Sequence, residues 1–329
     1  MKAMVIVRGK EGGTLELRDV PQPEPRTGEL LVRVRATALN RADLAQLKGT
    51  YPTQAAGGGS LIIAGLEAAG EVAVLGEKVS GFKVGDRVMA MCAGGYAECT
   101  TLDQRLAIPI PQRLSWEEAA TIPVAYMTEH NALMTNAGLQ PGESVLIHAA
   151  SSGVGVAGIQ IAKFCGAKLV MGTASSPAKI EALRALGMDL GINYKKENFA
   201  DAVLAATNGA GVDVIIDHVG GPYLKENLRC LAIKGRLVSV GRLAQPTGEL
   251  DLELLAYKRL HLIGVTFRTR TIEEKIAIAQ RFKADLLPGL ADGRLKPKID
   301  RLFSLEQARE AQAYLASNVQ IGKIVLQVK

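Results

Sequence analysis

The sequence predicts an α/β protein of two domains, one mostly β and one built on a doubly wound parallel sheet. Three observations carry this. Val145-Leu-Ile-His-Ala-Ala-Ser-Ser-Gly-Val-Gly-Val-Ala-Gly158 runs from a short apolar strand through a small-residue turn into a helix. Beyond it, short apolar runs alternate with helical patterns as far as residue 240, the rhythm of parallel strands joined by crossing helices. Before it, residues 1 to about 120 form short β-type runs punctuated by Pro and Gly turns.

The strand at 145–149 opens the second domain. After Gly155, the residues Val156, Ile159, Ala162 and Cys165 make one helical face, and Gly166 stands where a C-terminal cap glycine belongs. A strand at 169–171 follows. Ser176 before Pro177 is a helix start, Ile180, Leu183 and Leu186 share its buried face, and Gly187 stops it. Strands at 190–194, 212–216 and 236–240 then alternate with helices at 199–206 and 224–231. Arg259-Leu-His-Leu-Ile-Gly-Val-Thr-Phe267 reads as the last strand, apolar enough to be a hazard as an open edge. Pairing of that edge with a second copy predicts a homodimer or a dimer-based tetramer.

In the first domain, Met1-Lys-Ala-Met-Val-Ile-Val7 has too brief an apolar run for a signal peptide and reads as a first strand. Strands follow at 30–34, 69–75 and 87–91, with turns at Pro21-Gln-Pro-Glu-Pro25 and Lys83-Val-Gly-Asp86. Asn40 caps a helix that carries Leu44 and Leu47 and closes at Gly49. Ala55-Ala-Gly-Gly-Gly-Ser60 reads as a mobile lip. A helix at 305–316 and a strand at 323–326 return to complete this domain, with 287–300 as the crossing. The expected boundaries are 1–122 with 291–329 for the mostly β domain, and 123–290 for the parallel-sheet domain. A length of 329 residues suits two such domains.

The net charge of +6 permits an anionic ligand, but Lys and Arg are dispersed and form no stripe, which argues against nucleic acid. Four cysteines, Cys92, Cys99, Cys165 and Cys230, make no CxxC and no ligand quartet with the four histidines, so a reducing cytoplasm is the expected compartment. The apolar stretch at 145–162 is broken by His148, two serines and several glycines, and does not read as a membrane span.

The strand–turn–helix unit has the makings of a dinucleotide site. Backbone N–H groups at a helix start face an anion, and the helix dipole adds partial positive charge, provided that side chains there stay small. Gly153-x-Gly155-x-x-Gly158 is the literal glycine string. With the strand ending near Ala149, however, the working register is Ala150, Ser152 and Gly155. NADPH is expected over NADH. An NAD site places a carboxylate about 20 residues past the turn to hold the ribose 2′-hydroxyl. Here residues 168–180 contain no acid, while Ser175, Ser176 and Lys179 are present and Tyr194 follows the third strand.

Across nearly its whole length the chain resembles the zinc-independent quinone oxidoreductases of the medium-chain dehydrogenase/reductase superfamily, most of all their p53-inducible quinone oxidoreductase-like branch. The carrying segments are Ala38-Leu-Asn-Arg-Ala-Asp-Leu44, Gly65-Leu-Glu-Ala-Ala-Gly70, Val84-Gly-Asp-Arg-Val88, His148-Ala-Ala-Ser-Ser-Gly-Val-Gly155, Asn193-Tyr-Lys-Lys-Glu197, Asp217-His-Val-Gly220 and Ile321-Gly-Lys-Ile-Val-Leu326. Ser152 departs from the glycine usual in the family. The resemblance implies a GroES-like domain completed by the C-terminal segment, a Rossmann domain, and a cleft for NADPH and substrate. It places the cofactor on Thr128, Ala150, Ser152, Gly153, Val154, Gly155, Ser175, Ser176, Lys179, Tyr194, Gly241 and Phe267. The zinc-dependent members use a Cys near the position of Asn40 and a His where this chain has Leu66, and often a four-cysteine lobe where only Met91-Cys-Ala-Gly-Gly95 stands. No metal is therefore expected.

Making an alkoxide near neutral pH is work for a Lewis acid, whereas a quinone accepts hydride to give an aromatic hydroquinone anion that water protonates. The expected activity is NADPH-dependent quinone reduction. An enone or enal reductase is the nearest alternative, and a non-catalytic NADPH- or RNA-binding protein a more distant one. Asn40 and Tyr51 are the pocket candidates, positioning substrate or nicotinamide, with no general acid assigned. Asn40 also serves as a cap, and Tyr51 has a plain alternative as a loop tyrosine. Glu67, Asp43, Asp217 and His148 read as structural: a junction carboxylate, a first-turn helix acid, a turn brace and a core imidazole.

Overall fold

The computed structural model describes residues 1–9, 12–51 and 61–329, so the glycine-rich stretch at 55–60 lies outside the described residues. The chain forms two compact units, Met1–Met127 with Arg270–Lys329, and Thr128–Thr269.

The second unit is a six-stranded parallel sheet ordered Leu190–Asn193, Leu169–Ala174, Ser144–Ile147, Val212–Asp217, Leu231–Ser239, His261–Gly264. Chain order reverses beside the strand Ser144–Ile147, the switch point of a Rossmann sheet, and ligands bind beyond the carboxyl ends of the strands there. Leu146, Met171, Ile192, Ile215 and Leu237 from successive strands pack with Phe199 and Val203 in one buried cluster. Runs buried on both faces explain why these strands read as continuous rather than alternating apolar segments.

Several elements differ in extent from the sequence reading. The first strand stops at Ile147, because Ala149 takes a φ of 50° and turns the chain. The strand expected at 236–240 starts at Leu231, and the expected last strand is paired only over His261–Gly264. Arg259 sits at φ 52° and breaks the front of that run.

In the first unit, a seven-stranded sheet holds Glu29–Ala38 at its centre, between Lys323–Gln327 and Glu67–Leu75, both antiparallel to it. The C-terminal strand thus pairs with one near the N-terminus. Leu30, Val32, Val72, Val88 and Leu102 fill one side of this sheet. The 20-residue helix Ile272–Ala291 groups with this unit, whereas the boundary expected at 290 gave it to the other. Its start is fixed by a capping box, with Glu274 accepting from the Thr271 N–H at 2.7 Å and Thr271 Oγ1 accepting from the Glu274 N–H at 3.2 Å. Arg105 bridges to Glu273 at 3.0 Å, and the Gln280 amide donates to the Arg105 carbonyl at 2.8 Å. Among the described residues no helix is long and apolar enough to cross a membrane.

Candidate active site

At the switch point, Ser152 is the N-cap of the helix Gly153–Phe164, its hydroxyl accepting from the Gly155 N–H at 3.1 Å. The amides of Gly153 and Val154, at the first two helical positions, have no partner within the helix and face forward. Close packing dictates the small residues. A Cβ on Gly155 would lie 2.6 Å from the Ala149 carbonyl and from Ala150 Cα, and one on Gly158 would lie 2.6 Å from Glu129 Oε2. Gly155 therefore lets the helix close on the turn, and Gly158 lets it close on its neighbour. The Ala150 N–H donates to the Thr173 carbonyl at 3.0 Å, tying the turn to the next strand. These features fit a pyrophosphate: a cradle that side chains would fill, with N–H groups and a helix dipole aimed into it.

Ala174 and Asn193 are register partners on adjacent parallel strands, so the segments that follow them emerge side by side. Ser175 and Ser176 leave the first. Ser176 caps the helix Pro177–Arg184, its hydroxyl accepting from the Lys179 N–H at 3.4 Å. Tyr194 leaves the second, 42% exposed, its ring edge-on to Tyr223 with centroids 6.5 Å apart. Ser175, Ser176, Lys179 and Tyr194 thus share one end of the sheet. Gly241 follows the fifth strand; its N–H donates to the Asp217 carbonyl at 3.1 Å, and a Cβ there would meet the His218 carbonyl at 2.7 Å. Phe267 lies half-buried just after the edge strand.

Within the helix Ile122–His130 only Val124 and Thr128 keep partial access to solvent, one turn apart on the same face. Beside Thr128, Glu129 is wholly buried with His218, Oε1 to Nε2 2.9 Å, close enough for an ion pair although poorly aligned for a hydrogen bond. Burial alone would lower the His218 pKa, but Glu129 and, less strongly, Asp217 together outweigh it and hold the imidazole above its ordinary value. Sequence reasoning missed this pair: His218 lies within Asp217-His-Val-Gly220, but Glu129 belongs to no motif and is far from it in the sequence.

His148 is a core imidazole, Nδ1 3.1 Å from Thr173 Oγ1 and Nε2 2.7 Å from Asn227 Oδ1, with burial pushing its pKa down. Asp217 braces its turn by accepting from the N–H groups of Val219 at 2.7 Å and Gly220 at 3.1 Å.

In the first unit, Asn40 is the N-cap of the helix Arg41–Leu47, and the Asp43 carboxylate reaches back to its N–H at 2.7 Å. The Asn40 side chain turns instead into a buried polar cluster. Lys323 Nζ donates to Asn40 Oδ1, Glu67 Oε1 and the Leu39 carbonyl, each at 2.7 Å. Asn40 Nδ2 donates to Glu67 Oε1 at 2.8 Å and to the Ala38 carbonyl at 3.2 Å. Glu67 Oε2 accepts from the Val124 N–H at 2.8 Å. Lys323 and Glu67 are 6% and 0% exposed, so the ammonium and carboxylate neutralise one another out of water. Tyr96 donates its hydroxyl to Asp43 Oδ2 at 2.9 Å. Tyr51, half-buried, stands at the last described residue before 61. Lys323 was missed as a site residue, although a lysine inside the apolar run of a terminal strand is itself an anomaly that a partner must explain. Among the described residues, no three His, Cys, Asp or Glu side chains converge as a metal requires.

The family described as "Alcohol dehydrogenase GroES-like domain" matches residues 26–112, and that described as "Zinc-binding dehydrogenase" matches 153–282. The chain is 33% identical over 332 residues to a quinone oxidoreductase of Rattus norvegicus, covering 99% of this chain and 98% of that protein. It is 34% identical over 314 residues to a phenolphthiocerol/phthiocerol polyketide synthase polypeptide of Mycobacterium tuberculosis, covering 95% of this chain but spanning only 14% of that protein's length. Among solved structures, a mycobacterial protein complexed with NADPH superposes with a TM-score of 0.88 at 27% identity, covering 99% of this chain and 100% of that one. The CurK enoyl reductase superposes at 0.86 and 28% identity, covering 99% of each. The chain belongs to the medium-chain dehydrogenase/reductase superfamily of oxidoreductases, with a GroES-like and a Rossmann domain and quinone oxidoreductases among its full-length relatives.

Proposed function

We propose that the chain is an NADPH-dependent reductase that passes hydride to a quinone without a metal, acting as a homodimer or dimer-based tetramer in the cytoplasm. The observation that carries this reading is the acid-free corner formed by Ser175, Ser176, Lys179 and Tyr194 beside a turn that fits a pyrophosphate, in a chain similar over its whole length to quinone oxidoreductases. The residue pattern supports the metal-free route, since Asn40 and Leu66 offer neither thiolate nor imidazole.

In this reading the N–H groups of Gly153 and Val154 hold the pyrophosphate, with Ala150, Ser152 and Gly155 keeping the turn tight. Ser175, Ser176, Lys179 and Tyr194 take the 2′-phosphate. Thr128, Gly241 and Phe267 line the nicotinamide half, and Asn40 and Tyr51 position the substrate. The bound cofactor supplies two electrons and a proton as hydride, and the quinone leaves as a hydroquinone after water protonates its anion. The protein's own share is orientation and exclusion of water. The fold likeness to an enoyl reductase favours an activated alkene as the second substrate class.

A panel of ortho-quinones, para-quinones and enals, each assayed with NADPH and NADH, tests the assignment. Quinone-stimulated NADPH oxidation, unaffected by chelators and without oxidation of simple alcohols, is the expected result. Loss of activity on chelation with recovery on adding zinc would overturn the metal-free reading, and turnover of enals alone would favour the second substrate class.

A further inference from the structure

Glu129 and His218 are both buried, and among the described residues His218 is the one ion-pair partner of the Glu129 carboxylate, at 2.9 Å. Neither Glu129 oxygen, nor His218 Nε2, has a hydrogen bond there. Charge therefore holds the pair, and only while one proton stays with it, since a lone carboxylate out of water is strongly disfavoured. Three elements that carry proposed cofactor residues meet here, all through residues of the unit Thr128–Thr269. Glu129 follows Thr128 in the helix Ile122–His130. The His218 carbonyl accepts from the Leu243 N–H at 3.2 Å, and a Cβ on Gly241 would lie 2.7 Å from it. Gly158 of the dinucleotide helix has no room for a Cβ, which would lie 2.6 Å from Glu129 Oε2. We propose that Glu129 and His218 are positioning residues: their proton holds these three elements together around the nicotinamide half of the cofactor site, and cofactor affinity falls at alkaline pH as His218 gives that proton up. This rests on the reading that Thr128 and Gly241 line that half.

The sign follows from the neighbours. Burial disfavours a charged imidazole, but Glu129 and, less strongly, Asp217 outweigh it, so His218 keeps its proton to higher pH than an ordinary histidine. Asp217 is itself occupied, accepting from the N–H groups of Val219 and Gly220 and from the Asn227 amide at 2.7, 3.1 and 3.2 Å. His148, held between Thr173 and Asn227, is kept neutral by burial. His130 is buried next to Glu129 along the helix, Arg242 is exposed on the loop before Leu243, and the dinucleotide helix presents Gly158 at the contact. Loss of the His218 proton turns a neutral pair into a lone buried anion. An anionic cofactor then meets a net negative wall, and the carboxylate has nothing left to hold its neighbour. Both effects weaken binding.

Affinity of the full-length chain for NADPH and NADH, read by nucleotide fluorescence from about pH 7 to about pH 9.5, tests this. For the tighter-binding cofactor, wild type should weaken roughly tenfold over that range, the effect of one proton whose pKa moves by about one unit on binding. Glu129→Gln keeps the shape of the pair with no carboxylate to strand, and should weaken less than about threefold over the same range, whatever its affinity at the lower end. Every other titratable group of the site is common to both proteins, so the difference in slope belongs to the pair. If Glu129→Gln does not fold, Glu129→Gln with His218→Gln supplies the same comparison with two amides. With isotope-labelled histidine and no cofactor, the imidazole signal that is lost in His218→Gln should titrate above 6.5 in wild type and lower in Glu129→Gln. A wild-type affinity that is flat with pH, or an equal decline in the variant, would overturn the proposal while leaving the cofactor reading intact. A wild-type His218 midpoint at or below 6.5 would overturn it as well. Binding of neither cofactor would overturn the cofactor reading, and the role of the pair with it.

Discussion

Asp43 gives the most direct physical test of the cluster around Asn40. Its carboxyl is wholly buried, and desolvation pushes its pKa up from 3.8 to about 7, against the lowering effect of the Asn40 N–H, the Tyr96 hydroxyl and Lys323; Glu67 adds to the rise. The folded state therefore binds a proton that the unfolded chain releases near pH 3.8. Stability from this group is full below that value, falls as pH rises toward about 7, and is flat above it. Each pH unit inside the window costs about 1.4 kcal/mol, so raising pH from about 5 to about 8 removes about 3 kcal/mol. Asp43→Asn keeps an acceptor for Asn40 and Tyr96 and cannot ionise. Its new amide nitrogen takes the corner of Oδ1, which has no hydrogen-bond partner among the described residues and also houses the acid's own proton. Variant and wild type should thus match within about 1 kcal/mol near pH 5, and the variant should be the more stable near pH 8. Calorimetric midpoints at both pH values should show that gap opening by about 5–10 °C. Parallel profiles for the two proteins would refute the claim that Asp43 is held protonated by burial.

Lys179→Ala should raise the KM for NADPH with little effect on NADH, through loss of a charge-assisted contact worth roughly 1.5–3 kcal/mol; equal losses for both cofactors in steady-state assays would place the phosphate elsewhere. The strand His261–Gly264 ends the Rossmann sheet with Leu262 41% exposed, so sedimentation should show a dimer or larger at micromolar concentration. Leu262→Lys should shift that species toward monomer, and a wild-type monomer would dispose of the edge-pairing argument.

The Rossmann unit was legible in the sequence because its determinants are local. Caps such as Ser152 and Ser176, cap glycines such as Gly166 and apolar strands buried on both faces lie within a few residues of the element they define. The helix Ile272–Ala291 went unpredicted although Thr271 and Glu274 spell a capping box, because the apolar run before it reads as a longer strand than the one the chain leaves by Val265. The turn register was only half visible. Gly155 is explained by the local fold of the turn, but Gly158 is small because of Glu129, a contact that no string search shows. Asn40 is legible as a cap from its neighbours, while the bonds that occupy its side chain come from Glu67 and from Lys323 at the far end of the chain.

That separation has a physical logic. Glu67 sits in a strand whose neighbours are buried, and a carboxylate left alone there would cost several kcal/mol. The cation that prevents this cost arrives only when Lys323–Gln327 pairs with Glu29–Ala38, so closing the sheet and building the Asn40 cluster are the same event. Lys323 pairs with Glu67 at 2.7 Å, and burial favours the protonated form of the neighbouring Asp43 up to about pH 7. Ionising Asp43 would add a second buried negative charge beside Glu67, which is why Glu67 adds to the rise of its pKa. Burial of Asp43 therefore does more than tie down a helix start: by favouring the protonated acid it spares this buried cluster a second carboxylate charge.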